Sequence, residues 1–370
     1  MLKAQVVDSL AGQDRASWDA LFPDVLEGYD YLTAVERAAL PGFRWRYILV
    51  SEGDLLVAAA PAFHTDYGLE TTLVGAPRRV IESVRRAVPN ALTLRLACIG
   101  SPCTVTASLG IAARVAEPDR PQLLRVLLEA FEQDAMQARC GLFASKDVIA
   151  ADRPLWDAAA GPLGYRPIAS LPIADLDIDF ASLEEYLGRL SAGTRKDMRR
   201  KLRALPRVRI EFRTEIDDVL DRVMALYAET RARADMSFEN LTADYFRGVT
   251  RQMGAGAFYV LYFQDDDLLA ANLLLQDDAV LLDKYFLMDA ERGRSLNLYF
   301  LSWFTNVRLC LERGLERYES GQAAYRNKLR LGSRLTRTSI YFRHRNAVVN
   351  GAMQLFAPLF AADPTVGLAA

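Results

Sequence analysis

Along the chain, short runs in which apolar residues cluster or alternate give way to longer stretches of helical spacing, and the order in which they do so repeats. Residues 2–7 read as a strand, and 17–21 and 31–40 as helices, the second with Leu32, Val35 and Ala39 on one face. Segments 46–50 and 55–63 predict a hairpin closed at 51–54, where Gly53 can supply a positive φ. A strand at 93–99, a helix at 122–139 carrying Leu123, Leu127, Ala130 and Phe131, and a strand at 142–145 complete the first half. The succession then returns with a strand at 208–212, helices at 217–233 and 245–253, and strands at 257–263, 268–275 and 280–288. The acidic turns 265–267 and 277–278 favour tight reversals, so these three strands read as an antiparallel meander. Leu296, Tyr299, Phe300, Trp303, Phe304, Val307, Cys310 and Leu311 next fall on one helical face, with Ser295 placed as N-cap and Gly314 just past the end. A strand at 315–320 follows. The prediction is an α+β fold of two similar halves, 1–170 and 171–346, with the seam near Pro167 to Pro172. Residues 347–370 are expected to form a terminal segment with a docked helix at 348–360.

Composition narrows the function. The 370 residues are 51% hydrophobic and 25% charged, which excludes a disordered chain. Forty-five Lys and Arg against 47 Asp and Glu argue against a dedicated duplex-DNA binder but leave room for a local basic face. Four cysteines without a C-x-x-C pair, and two histidines in all, argue against a disulfide framework, a zinc site or any other metal centre. His64 and His344 are each expected at a strand end near the surface. The opening MLKAQVVDSLAGQD lacks a basic segment followed by an apolar one, and no apolar run reaches ~18 residues, so a soluble, cytoplasmic protein is expected.

Three segments could carry chemistry. Loop 289–297 opens the best helix, and Arg292, Gly293, Arg294, Ser295 and Asn297 there could cradle phosphate oxygens against unpaired N–H groups; a solvated, well-capped loop has the same composition. Segment 319–332 carries Glu319, Tyr325 and Lys328, the groups that proton transfer and oxyanion stabilisation need, and reads equally as a basic surface turn. Segment 191–205 pairs an apolar face of Met198, Leu202 and Leu205 with Arg195, Lys196, Arg199, Arg200, Lys201 and Arg203, with Thr194 as the expected cap; it suits a polyanion or a solvated charged face. By itself Asp283, among Leu281, Leu282 and Lys284 on the strand before the first loop, reads as a solvent-facing or ion-paired strand residue.

At these residues the chain resembles the GNAT superfamily, in the double-domain branch related to the Fem peptidoglycan aminoacyltransferases and the CelD/BcsL-type acetyltransferases. Ser191, Arg195, Arg199 and Arg200 match a segment that opens the second domain of that family, and Gly321, Tyr325, Lys328 and Gly332 match one that follows its fifth strand. The resemblance implies two tandem GNAT-like domains, each a mainly antiparallel mixed sheet flanked by helices, the first serving as scaffold and acceptor side. It implies acyl-CoA held at 292–297, although the second glycine of the family's loop is missing, or aminoacyl-tRNA as the donor instead. Catalysis would fall to Lys328, Tyr325, Glu319 and Asp283, with Lys284, Tyr285, Arg195 and Arg199 against substrate. The expected reaction is direct attack of a small-molecule or peptide amine on the acyl carbonyl. A Fem-type aminoacyl-tRNA-dependent transferase and a non-catalytic glycan-binding protein remain open beside it.

Overall fold

Strand and helix periods that repeat in the sequence build two mixed sheets. The computed structural model describes residues 2–68, 93–234 and 238–356. Of these, residues up to Leu171, 238–240 and those from Arg337 onward form one unit, and the rest form the second. In the first sheet β1 (Leu2–Val7), β2 (Phe43–Glu52), β3 (Leu55–Gly68) and β4 (Thr93–Ile99) follow one another antiparallel, with the short β5 (Gly110–Ile111) on β3. Helix Arg120–Gln137 then crosses over, so that β6 (Leu142–Ile149) pairs with β4 in parallel. A crossover of this kind is what a parallel neighbour requires. Leu123, Leu124, Leu127, Leu128 and Phe131 of the helix press on Ile48, Val50, Ala58 and Ala60 of the sheet. The opposite face is covered by Trp18, Leu21, Phe22 and Leu32. The next strand, β7 (Arg166–Ala169), lies at the far end of this sheet.

The second sheet repeats the plan. Its first strand in the chain, β8 (Ile173–Asp177), is followed by β9 (Arg209–Arg213), β10 (Ala257–Gln264), β11 (Asp267–Gln276) and β12 (Val280–Met288), of which the last four are antiparallel neighbours. Helix Leu298–Arg313 crosses over to β13 (Arg317–Glu319), parallel to β12, and β8 and β14 (Arg334–Thr336) extend the sheet. The helix buries Leu298, Leu301, Trp303, Phe304 and Val307 against Val260, Tyr262, Leu274 and Leu281. It ends at Gly314, whose φ of +67° is the left-handed C-cap read from the sequence.

Several expectations are corrected. Residues 337–346 were expected with the second half, yet β15 (Thr338–His344) enters the first sheet between β6 and β7 and satisfies an edge of each. His64 is not near the surface: it is fully buried on β3, with Nε2 3.1 Å from Asp134. Helix Ala347–Phe356 follows β15, its Gln354 donating to the Gly164 carbonyl at 3.0 Å, and the remainder of 347–370 lies outside the described residues. Among the described residues, no helix is long and apolar enough to cross a membrane.

The parallel pair of the first sheet is sealed by its own chain. Past the last pair, Ile99 with Ser145, the backbone turns at Gly100 and residues 101–104 are buried. The Ala107 N–H reaches the Asp147 carbonyl at 3.4 Å, and the Lys146 ammonium donates to the Thr104 carbonyl at 2.5 Å. Glu27 accepts from the Val105 N–H at 2.6 Å, and the Tyr31 hydroxyl donates to the Cys103 carbonyl at 2.7 Å. Gly100 has φ +109°, and a Cβ there would lie 2.7 Å from the Lys146 Cγ. Gly100→Ala is therefore expected to lower unfolding stability by about 1–3 kcal/mol, measured by chemical denaturation, because both the conformation and the lysine stem resist it.

Candidate active site

Strand β12 is irregular where the chemistry is expected. On one side its register with β11 slips, Leu273 facing Tyr285 but Leu274 facing Asp283, so Lys284 is the extra residue of a bulge. On the other side it pairs with β13 only through Val280, Leu281 and Leu282. Beyond that the β13 chain turns to β8 instead, the Ser320 N–H donating to the Ala174 carbonyl at 2.9 Å and the Ala174 N–H to the Gly321 carbonyl at 3.1 Å. The two parallel strands thus part at Asp283, and past it this edge of β12 has no strand partner among the described residues.

Asp283 sits at the head of a polar cluster enclosed by apolar side chains. Its Oδ1 accepts from Asn272 Nδ2 at 2.6 Å and its Oδ2 from the Tyr318 hydroxyl at 2.9 Å. Asn306 donates to the Asn272 Oδ1 and to the Tyr318 hydroxyl, each at 3.0 Å, and Ser302 donates to the Asn272 Oδ1 at 3.1 Å. Asn272, Ser302, Asn306 and Tyr318 are all buried. Desolvation raises the Asp283 pKa, opposed by the hydrogen bonds from Asn272 and Tyr318 and by the charge of Lys328. Burial, and then the neighbouring carboxylate, hold the Tyr318 phenol well above its usual value. None of Asn272, Ser302, Asn306 or Tyr318 was singled out from the sequence. The available signal was a lone Asn in the strand run LLAANLLLQ, and polar residues four apart inside an apolar helix.

The expected residues of 319–332 anchor the chain. Lys328 is 4% exposed, and its ammonium donates to the carbonyls of Ser320 at 2.5 Å and Gly321 at 3.1 Å. Desolvation lowers its pKa to about 8, against the pull of Asp283 and Asp175. The Tyr325 hydroxyl donates to the Pro172 carbonyl at 2.8 Å. These bonds hold the exit of β13, where Ala323 and Ala324 take positive φ. Glu319 pairs with Arg317 at 3.0 Å on the last rung of the β13 ladder.

Loop 289–297 differs in detail from its expected form. Residues Arg292–Ser295 make a short helical turn, and the cap of Leu298–Arg313 is Asn297, at φ +57° and without a side-chain bond, rather than Ser295, which bonds to the Arg292 carbonyl. The N–H groups of Leu298 and Tyr299 have no acceptor among the described residues. Arg292 is committed to Asp267 at 2.8 Å, whereas Arg294 is exposed and unpaired among the described residues. Gly293 is needed for packing, since a Cβ would come 2.3 Å from the Met288 Cγ. Tyr285 packs edge-on to Tyr245 at 5.8 Å and to Phe246 at 6.3 Å, and the Lys284 ammonium lies 5.7 Å from the Tyr285 ring.

In helix Ala192–Leu202 the cap is Ser191, not Thr194, because extended backbone ends three residues earlier than expected. Its cations are partly neutralised: Arg199 pairs with Glu184, and Arg200, Lys201 and Arg330 gather on Asp197, whose pKa these hydrogen bonds hold at about 2. Arg195 donates to the Gly188 carbonyl, and Lys201 also lies 3.4 Å over the Phe300 ring. Lys196 and Arg203 are exposed and unpaired among the described residues.

Residues 192–329 match the family described as the Acetyltransferase (GNAT) domain. Over nearly the whole chain the fold is similar to that of a tandem GNAT protein from the clavulanic acid biosynthesis pathway, at 13% identity and TM-score 0.57, covering 94% of this chain and 99% of that one. FemX is similar at 13% identity and TM-score 0.60, covering 95% and 100%. So is the C-terminal domain of an Agrobacterium fabrum protein named as a lysylphosphatidylglycerol synthetase, at 12% identity and TM-score 0.53, covering 95% and 99%. In sequence the chain is 24% identical over 335 residues to a Mycobacterium tuberculosis protein that bears the name 8-amino-7-oxononanoate synthase 2. That match covers 88% of this chain and 43% of the other, so the chain spans less than half of the curated relatives it matches.

The buried ammonium makes a pH-dependent contribution to stability. With its folded pKa near 8, below the unfolded value of 10.5, Lys328 binds fewer protons folded than unfolded between those limits. Stability should therefore rise through that window, by about 2–3 kcal/mol, as the cost of burying the charge is relieved. Lys328→Met should remove this increment, seen as a flatter difference curve when unfolding of both proteins is followed from pH 7 to 11.

Proposed function

We propose that this chain, a tandem GNAT-fold protein whose second half carries a GNAT acetyltransferase domain, transfers an acyl group from acyl-CoA to an amine. The observation that carries the reading is the parting of β12 from β13 at Asp283, beside a bulge and in front of a helix N-terminus. A thioester laid along the free edge of β12 finds backbone groups that no strand uses. Its diphosphate would meet the open N–H groups of Leu298 and Tyr299, with Arg294 supplying charge.

In the reaction the amine nitrogen forms a bond to the acyl carbon, the carbon–sulfur bond breaks, and the thiolate leaves and is protonated. The surplus ammonium proton goes to Asp283, directly or through a water. A carboxylate whose pKa is raised by its surroundings is the better base for that step. Lys328 acts at one remove, by pinning the exit of β13 and by its charge near Asp283. Tyr285 and Lys284 lie on the acceptor side of the bulge, and the acceptor is a small molecule or a peptide amine. An aminoacyl-tRNA donor is the second reading, favoured by the exposed Lys196 and Arg203 on the basic helix.

Calorimetry with acetyl-CoA tests the donor. Binding in the micromolar range, weakened at least about tenfold by Arg294→Glu, is expected. Absence of binding would overturn the acyl-CoA reading. Retention of charged tRNA that falls steeply with salt would then support the second. In an amine screen, Asp283→Ala should lower transfer by about 10²–10⁴-fold while leaving acetyl-CoA binding within a factor of about two.

A further inference from the structure

The hydrogen bonds around Asp283 run in one direction only. An ionised carboxylate can only accept, and both of its oxygens do so, Oδ1 from the Asn272 amide and Oδ2 from the Tyr318 hydroxyl. With its NH2 group donating to Asp283 and, at 3.4 Å, to the Tyr285 carbonyl, Asn272 must turn its carbonyl oxygen away. That oxygen is met by two donors, Ser302 Oγ and Asn306 Nδ2. Tyr318, having given its one proton to Asp283, must accept at its oxygen, and it does so from the same Asn306 amide. Each donor and acceptor choice thus follows from the one before it, and both branches end on the carboxylate, which the Asn306 amide also approaches at 3.5 Å while its own Oδ1 has no partner among the described residues. Protonation at an unused acceptor site would leave this frame standing but would weaken the two bonds it directs at the carboxylate, whose donors Asn272 and Tyr318 lie at 0–1% exposure.

We infer that Asn272 and Tyr318 are positioning residues that keep the Asp283 carboxylate ionised and aimed, in a one-way hydrogen-bond frame closed by Ser302 and Asn306. The inference rests on the proposed role of Asp283 as proton acceptor and adds the machinery that makes a partly buried carboxylate usable. Two effects oppose each other there. Removal from water is the larger effect and favours the neutral acid, while the frame and the Lys328 ammonium oppose it in favour of the anion. The other titratable groups facing it are Lys328, Tyr318, Tyr299 and Tyr262. The three phenols are all raised, first by burial, and so remain neutral donors or acceptors around it. A carboxylate has about four acceptor sites, and the two strong bonds leave capacity on its exposed side for a proton arriving from an amine or a water.

The frame is testable without knowing the acceptor. Carboxyl resonances of isotope-labelled aspartate are followed against pH in the full chain, with Asp283 assigned by the signal lost in Asp283→Asn. Asp283 should be ionised at pH 7, and Tyr318→Phe should raise its pKa by about one unit or more, as expected for a lost hydrogen bond to the charged form. A titration unmoved in folded Tyr318→Phe, or an Asp283 already neutral at pH 7 in the wild type, would overturn the inference. If Tyr318→Phe does not fold, Ser302→Ala decides: it removes one donor two bonds from the carboxylate, and a smaller upward shift supports the frame while none refutes it. Acetyl-CoA binding by the same samples separates the two claims. Binding with an unmoved titration sinks the frame and spares the donor reading; a moved titration without binding does the reverse.

Discussion

Two parallel strands that begin together and then separate are the constraint on which the second unit depends. A parallel neighbour can be reached only by a crossover, so pairing β13 with β12 obliges helix Leu298–Arg313 to lie between them in the chain and to start just beyond the end of β12. Because β13 is only three residues long, the pairing lapses while β12 still has six residues to run. The same short strand therefore produces an unused backbone edge and a nearby helix N-terminus, and it supplies the Tyr318 hydroxyl to the polar cluster around Asp283. Lys328 and Tyr325 stabilise this arrangement by holding the chain that leaves β13 on β8 rather than on β12.

The first sheet shows what the same topology does when the gap is closed. It too has a meander, a crossover helix and a parallel pair, yet its own residues 101–108 fill the place where the strands would part. The contrast is chemical as well as steric. In the second unit a lysine holds a strand exit open beside a carboxylate, whereas in the first Lys146 ties the filling segment down through the Thr104 carbonyl, with Asp147 3.6 Å away. A duplicated architecture has kept its backbone plan in both halves and kept an accessible strand edge in one.

The plan itself was legible because it rests on periodicity: the spacing that placed Trp303, Phe304 and Val307 on one face is the spacing that buries them. The candidate site was legible only in outline. Asp283 and loop 289–297 could be read, since each is a charged or capped element at a recognisable point in the order. The partners of Asp283 could not, because Asn272, Ser302, Asn306 and Tyr318 come from two strands and a helix that meet only in three dimensions. Caps failed for a local reason. Segments S-A-G-T and S-L-N each offer two side chains able to cap, and backbone conformation, which composition does not report, chose Ser191 and Asn297. Lys328 looked reactive in sequence because a lysine next to a glycine loop gives no hint that two carbonyls will surround it.

The return of β15 to the first sheet sets an order of events during synthesis. Every strand of the seven-stranded second sheet leaves the ribosome before Thr338–His344 does, so that sheet can be complete while the first still exposes facing edges of β6 and β7. Unpaired edges of that kind invite pairing with other chains. The half that begins the sequence is then the last to close, and its integrity in the cell rests on residues made after the second sheet is already in place.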